Sequence, residues 1–400
     1  MSKIHLLSSS VLLITLLAAC GTSESKTSLK VKNEPPFLIE VEKARDVREA
    51  VFLSDFASKI EYIQPEVSKQ SLIGRNAHFY ITADHLVSTA RRQILLFDRE
   101  SGSFLKEVGK YGQGPDEYRS TYPYLHFNET SKATYVQNNS RKILGLDASG
   151  NTVTAFQLPM DDNTLVSSFV QLAPDLFAGY HSNYDCNQDI KLVIFNENGE
   201  VIKTYKNQLT CVNHEPGSIF FDLSEGTFYN WNKQAFFKES YNDTLFHVSR
   251  EALQTWAIFD CGESSLPYED KTKDLQSDPS QTYFSISDID ETKDFIFFNM
   301  TFRGETHSAY YDKVRDITKV TDPMDSENHR FLNDVDGFLP FRASYATEDG
   351  KLVGYMEAPE VAQWFEDNPE KAAKLPANLK RLESTSDDDN PIVMIVSLKD

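Results

Sequence analysis

Cysteine is scarce in this chain, 4 residues in 400, and no two are spaced as CxxC. That spacing supports the common structural zinc sites, so a site of that kind has no footing here. Positive charge is also short. Lys and Arg number 40 against 60 Asp and Glu, for a formal net charge of −20. Nucleic-acid phosphates need cationic partners, so a chain this acidic is a poor nucleic-acid binder. Its charge favours solubility and cations or basic partners. No HExxH, GxSxG, P-loop or Rossmann fingerprint precedes a helix. None of the nine histidines forms an i,i+4 pair. The apolar run from Val11 to Ala19 is too short to span a bilayer, which takes about 20 residues.

That run has another use. Lys3 precedes it and small residues end it, the form of an export signal over residues 1–19. The alternative is an N-terminal membrane helix. Leu17-Ala18-Ala19-Cys20 resembles the lipobox of bacterial lipoproteins, where cleavage precedes the cysteine and its thiol is acylated. The resemblance implies a lipid anchor at Cys20. Loss of Lys3 would take the charge to −21. Residues 20–36 are polar and rich in Ser, Thr and Lys, a composition suited to a flexible tether. An exported protein meets an oxidising compartment, so Cys186 and Cys211, 25 apart, could pair and leave Cys261 free. Three buried thiols remain the alternative.

From Phe79 to Asp312 short aromatic and β-branched runs alternate with polar turns, the strand signal. Several share one form: an apolar strand, a turn with Asp, Asn or Gly, and a second apolar strand. Aligning them places Asp98, Asp147, Asn196, His247 and Asp312 in equivalent positions, at steps of 49, 49, 51 and 65. The long step holds a polar loop around 262–281. A sixth copy is Leu352 to Met356. A period near 50 made of strands predicts an all-β, six-bladed β-propeller over 37–400, with four strands per blade. Each repeat buries its faces only against neighbours, so the ring must close. The last strand, Ile392 to Val396, has no repeat of its own. It is expected to pair near Ile60 to Ile63 and complete one blade from both ends of the chain. A β-sandwich pair is the alternative. Val361, Trp364 and Phe365 recur at helical spacing, so residues 359–382 read as a helical insert, broken at Asn368-Pro369.

Ser54-Asp55, Lys59 to Ile63, Ser71 to Gly74, Phe97 to Lys106 and Gly109 to Tyr118 together resemble the six-bladed β-propeller lipoproteins of Bacteroidetes. So do Tyr241 to Phe246 and Asn333 to Phe341. The resemblance covers nearly the whole chain after Cys20. It departs in carrying Asp116 where that family often has Gly. It also lacks an aspartate after Leu86-Val87-Ser88. It implies fold and an outer-membrane address, on the periplasmic face or the cell surface.

Candidate site residues come from two loops. Gly112 to Tyr118 joins the first repeat to the second, and Pro115 stiffens it. It reads either as a tight turn with Tyr118 capping the core, or as a ligand loop offering Gln113, Glu117, Tyr118 and Arg119. Asn333 to Gly337 resembles part of a calcium loop through Asp334 and Asp336. It lacks the acidic ligand that should follow, so an Asx turn competes. Calcium is the one cofactor with any motif behind it. His78, His85, His181 and His214 carry no individual signal, although separate blades can bring histidines to one channel end. The leading expectation is a membrane-tethered, non-enzymatic binding or scaffold module for a glycan, peptide or protein partner. The alternative is a metal-dependent hydrolase or lyase with its site in the central channel.

Overall fold

Strands prevail because the apolar runs are short and rich in β-branched and aromatic residues, which suit a pleated, packed surface. The computed structural model describes residues 34–399, apart from 48, 91, 122–125, 129–130, 140, 160–165, 184–185, 214–224, 272–278 and 323–328. The signal segment, Cys20, most of the tether and His214 lie outside the described residues.

Two strands precede the ring: β1 (Phe37–Glu40), followed by the short helix α1 (Val41–Val47), and β2 (Ala57–Ile63). Blade 1 is β3 (His78–Ile81), β4 (His85–Ala90), β5 (Gln93–Asp98) and β6 (Phe104–Glu107). Blade 2 is β7 (His126–Asn128), β8 (Ala133–Gln137), β9 (Lys142–Leu146) and β10 (Thr152–Gln157). Blade 3 is β11 (Val166–Ala173), β12 (Leu176–His181), β13 (Ile190–Asn196) and β14 (Val201–Lys206). Blade 4 is β15 (Gly226–Trp231), β16 (Gln234–Glu239), β17 (Thr244–Val248) and β18 (Leu253–Asp260). Blade 5 is β19 (Ser285–Glu291), β20 (Phe295–Phe302), β21 (Glu305–Asp312) and β22 (Ile317–Val320). Blade 6 is β23 (Tyr345–Ala346), β24 (Lys351–Met356), β25 (Ile392–Leu398) and, as its outer strand, β2. The protein is therefore a six-bladed β-propeller.

Closure joins the two ends of the chain. β2 runs antiparallel to β25, with Ile60 opposite Val396 and Ile63 opposite Val393. β1 does something the sequence did not announce. It adds a fifth, parallel strand outside blade 4, with Phe37 opposite Ala257. First strands of successive blades approach one another, β11 to β15, β15 to β19 and β19 to β23, and so surround the channel.

The repeat pattern has a structural cause. Third strands are sandwiched between neighbouring blades, so Ile94, Leu95, Leu96 and Phe97 of β5 are all buried. Outer strands such as β14 are mostly exposed and carry little signal. The aligned acids anchor the turn that follows. Asp98 Oδ1 accepts the Ser101 N–H at 2.8 Å, and Asp312 Oδ1 accepts those of Val314 and Arg315 at 2.9 and 2.8 Å. Two alignments need correction. His247 lies inside β17, and Ser249 caps the turn instead, its Oγ accepting the Ala252 N–H at 3.0 Å. The copy at Leu352 to Met356 is a second strand, not a third. The third strand of blade 6 is β25, displaced along the sequence by the helical insert.

That insert comprises α2 (Ala358–Asp367), α3 (Pro369–Ala372) and α4 (Ala377–Lys380), with a break at Asn368 and Pro369. Glu357 and Glu360 form a capping box at its start. Val361, Phe365, Leu379 and Leu382 are buried on Phe338, Leu339 and Met394. The described residues of the segment 262–281 include three short 3-10 turns.

Within each blade, first and third strands run in the same direction. Connections from second to third strands, and from one blade to the next, therefore open on one face. That face carries the described residues of the long segments 64–77, 108–125, 207–225, 261–284, 321–344 and 357–391, whereas turns such as 82–84 and 232–233 close the other. Long connections on a rigid scaffold are where binding groups concentrate.

Candidate binding site at the channel mouth

β3 and β19 belong to blades 1 and 5, which are not neighbours. Their side chains can act on one another only across the channel. The charge of Asp288 acts on His78, and that of Asp290 on Tyr80. β19 builds the acidic side with a bulge, as its register against β20 shifts between Ser287 and Asp290. Within it Asp288 adopts φ 46°, a left-handed conformation that non-glycine residues rarely take. Bulges re-aim side chains, and such strain clusters at functional sites. Asp288 Oδ2 accepts from Asn299 Nδ2 at 2.8 Å and from Ser287 Oγ at 3.2 Å, which orients the carboxyl.

Asp290 is enclosed. Burial pushes its pKa up to about 7, opposed by the Ala346 backbone N–H and reinforced by Asp288. Its proton is therefore divided near neutral pH. His78 is reached by water yet walled by the ring. Burial lowers its pKa and Asp288 opposes the shift. At neutral pH its imidazole is uncharged. Arg342 enters from the connection before β23. Burial and Arg330 bring its pKa down to about 10, with Asp288 opposing, so it remains a cation. Its Nη2 donates to Thr306 O at 2.5 Å and to His329 O at 3.4 Å. Gly354 permits this approach. A Cβ there would lie 2.1 Å from Arg342 O. Tyr355 lies within the field of Asp288 and packs on Phe79 at 5.0 Å. Asp288 and His78 are exposed, so the mouth presents a carboxyl and an imidazole, acceptor and donor groups suited to a hydroxyl-rich ligand, while Asp290 is buried.

The sequence-derived residues are placed elsewhere. Tyr118 is fully buried in the core between blades 1 and 2, and its OH donates to Arg92 O at 3.2 Å. Glu117 faces its own loop, accepting the Gly114 N–H at 2.8 Å and pairing with Lys110 at 2.5 Å. Asn138 Nδ2 holds that loop through Gly114 O at 3.0 Å and Glu117 O at 2.5 Å. Gln113 and Arg119 are exposed on the same face. Asp334 accepts from Ser54 N at 2.9 Å and Oγ at 2.5 Å. Asp336 accepts from Tyr62 OH at 3.0 Å and Asn333 Nδ2 at 2.7 Å. Asn333 Oδ1 takes the N–H groups of Val335 and Asp336, each at 3.2 Å, as an Asx turn does. The two loops are not brought together in one site.

Cys186 and Cys211 are joined by a disulfide, and Cys261 is free and buried. Nearby, Lys191 pairs with Glu239 and Lys271 with Glu225, all four buried. Asp288, Asp290 and Arg342 were not singled out from sequence. Their one sequence sign is the acid-bearing strand Ser285-Ile-Ser-Asp-Ile-Asp-Glu291, whose acids interrupt an otherwise strand-like run.

The fold and the channel define a propeller with one elaborated face. The chain matches the family described as "Domain of unknown function (DUF4934)" over residues 36–397, and it belongs to that family. No curated protein matches it. Among solved structures it is similar to a Bacteroides fragilis protein described as exported, at 16% identity and TM-score 0.64, covering 91% of this chain and 99% of that one. It also matches a DUF4221 family member from Bacteroides vulgatus at 10% identity and TM-score 0.46, covering 86% and 97%.

Proposed function

We propose that this protein is an exported, lipid-anchored binding module whose channel mouth holds a glycan. The observation that carries the reading is the bulge in β19, where Asp288 takes its left-handed conformation and its charge acts on His78 of β3 across the channel. Carboxyls and a neutral imidazole accept and donate hydrogen bonds to sugar hydroxyls, and tyrosine rings suit sugar faces. Export is supported by Leu17 to Cys20 and by the fold shared with a Bacteroides fragilis protein described as exported. Among the described residues no helix is long and apolar enough to cross a membrane. Acylation of Cys20 would supply the anchor.

Binding of a glycan panel to protein lacking residues 1–20 tests the reading. One class should bind, and Asp288→Asn should weaken it at least about tenfold, the loss of a charged hydrogen bond worth about 1.5–3 kcal/mol. Binding unchanged by Asp288→Asn would refute it. For the anchor, Cys20→Ala should release the protein from the membrane fraction.

A further inference from the structure

We propose that Glu305, His307 and His329 form a site for one divalent transition-metal ion of the zinc type, outside the channel where blade 5 meets the connection to blade 6. Among the described residues, these three can each offer one ligand atom, all within 4.8 Å of one another. β21 supplies two of them. Glu305 and His307 are two residues apart on one strand and therefore share a face. The third arrives after β22, when the chain returns beside β21. Ser308 N–H donates to His329 O at 2.9 Å, Thr321 Oγ1 at 3.2 Å and Arg342 Nη2 at 3.4 Å. Three donors on one carbonyl hold the backbone of His329 in place.

The spacing fits a metal. His307 Nδ1 and His329 Nδ1 are 3.3 Å apart, and Glu305, whose carboxylate is 4.0 Å from the other His329 nitrogen, completes a set of three ligand atoms within 4.8 Å. Two imidazole nitrogens at about 2.0–2.1 Å from a tetrahedral zinc are separated by about 3.3 Å. The competing arrangement is a hydrogen bond between two neutral imidazoles. It leaves His307 Nε2 without a partner, although the residue is 0% exposed. An unpartnered buried imidazole nitrogen beside convergent ligands marks a place for a bound group. A flip of the His307 ring exchanges Nδ1 for Cδ2 and brings Nε2 to the Cε1 position, so in that orientation Nε2 replaces Nδ1 as the ligand.

Ligand chemistry selects the ion. Two imidazoles and a carboxylate suit zinc and its neighbours rather than calcium or magnesium, which prefer oxygen. Glu305 is 46% exposed in its side chain, which opens a path to solvent. Three protein ligands leave a fourth position for water. The Arg342 guanidinium opposes a bound cation, and the Glu305 carboxylate offsets it. Neither the channel carboxyls nor the Asn333 to Gly337 turn takes part.

Tag-free protein, stripped with a chelator, is titrated with zinc against a chromophoric competitor, and cobalt is added separately. One equivalent should bind, and cobalt should give the visible bands of a tetrahedral site. His329→Ala should weaken zinc by more than the roughly 10–100-fold typical of lost outer-shell partners, while its metal-free melting curve stays that of the parent. Glu305→Gln, at an exposed position, should also weaken zinc and bleach the cobalt bands. Absence of stoichiometric zinc binding, or binding unchanged in both variants, would overturn the proposal.

Discussion

Lys313→Met should destabilise the protein strongly, and more so as pH rises. Lys313 Nζ donates to Glu291 Oε1 at 2.9 Å and to Thr292 O at 2.5 Å, and lies 4.3 Å from the Trp231 ring centre. Glu291 is 0% exposed in its side chain. Its Oε2 also accepts Tyr229 OH at 2.8 Å and Trp256 Nε1 at 3.0 Å. Burial raises the pKa of Glu291, and Lys313 is the first group holding it down. Methionine keeps the apolar stem and removes the charge, which strands a buried carboxylate. Breaking one side of a buried pair costs about 3–5 kcal/mol. Unfolding entropy of about 2 cal/mol/K per residue makes that roughly 4–7 °C in a chain this size. The stranded acid escapes part of the penalty by taking a proton. Its folded pKa then stands further above its unfolded value. Between the two, the folded state holds the proton and the unfolded state does not, so stability falls as pH rises. Melting curves of variant and parent at pH 5 and pH 8 are the assay. The deficit should be larger at pH 8. A deficit under about 1 °C, or one equal at both pH values, would refute the reasoning. Lys313→Met with Glu291→Met should recover much of the loss, because the uncompensated charge is gone.

Ile395 is fully buried in the closing strand, so Ile395→Ala should cost about 2–5 kcal/mol in a denaturant titration. Cys186→Ser opens a loop of 25 residues and should cost on the order of 3 kcal/mol under non-reducing conditions, with little effect once the parent is reduced. Asp290 has its pKa raised to about 7, so the parent loses stability as pH climbs from the ordinary aspartate range through 7. Asp290→Asn should therefore melt higher than the parent at pH 8, with the gap closing at pH 5. Equal gaps at both pH values would place Asp290 in water.

The ring was legible because its third strands are apolar without interruption and end in a turn-anchoring acid, as at Phe97-Asp98 and Tyr311-Asp312. Where a Ser replaces the acid, at Ser249, the alignment slipped onto His247. Where a helical insert separates second and third strands, it slipped onto Leu352 to Met356. The pairing of Ile60 to Ile63 with the last strand followed from counting strands. The fifth strand β1 did not, because four residues of a polar-flanked segment carry no period. The channel site was illegible for a geometric reason. His78 and Asp288 are 210 positions apart in the chain and come within electrostatic reach only once six blades close. His307 and His329 likewise have no motif spacing, since a strand and a returning connection bring them together. The glycine-rich loop at Gly112 drew notice by composition, yet its Glu117 faces its own backbone.

The union of β2 with β25 also sets an order of events. A propeller whose outer strand comes from residues 57–63 and whose third strand comes from 392–398 stays an open arc until the second of these is available. Until then β2 and β24 each lack the neighbour that β25 supplies. During synthesis the ring therefore cannot close until residues 392–398 have been made, and blade 6 is completed after the other blades have all their strands.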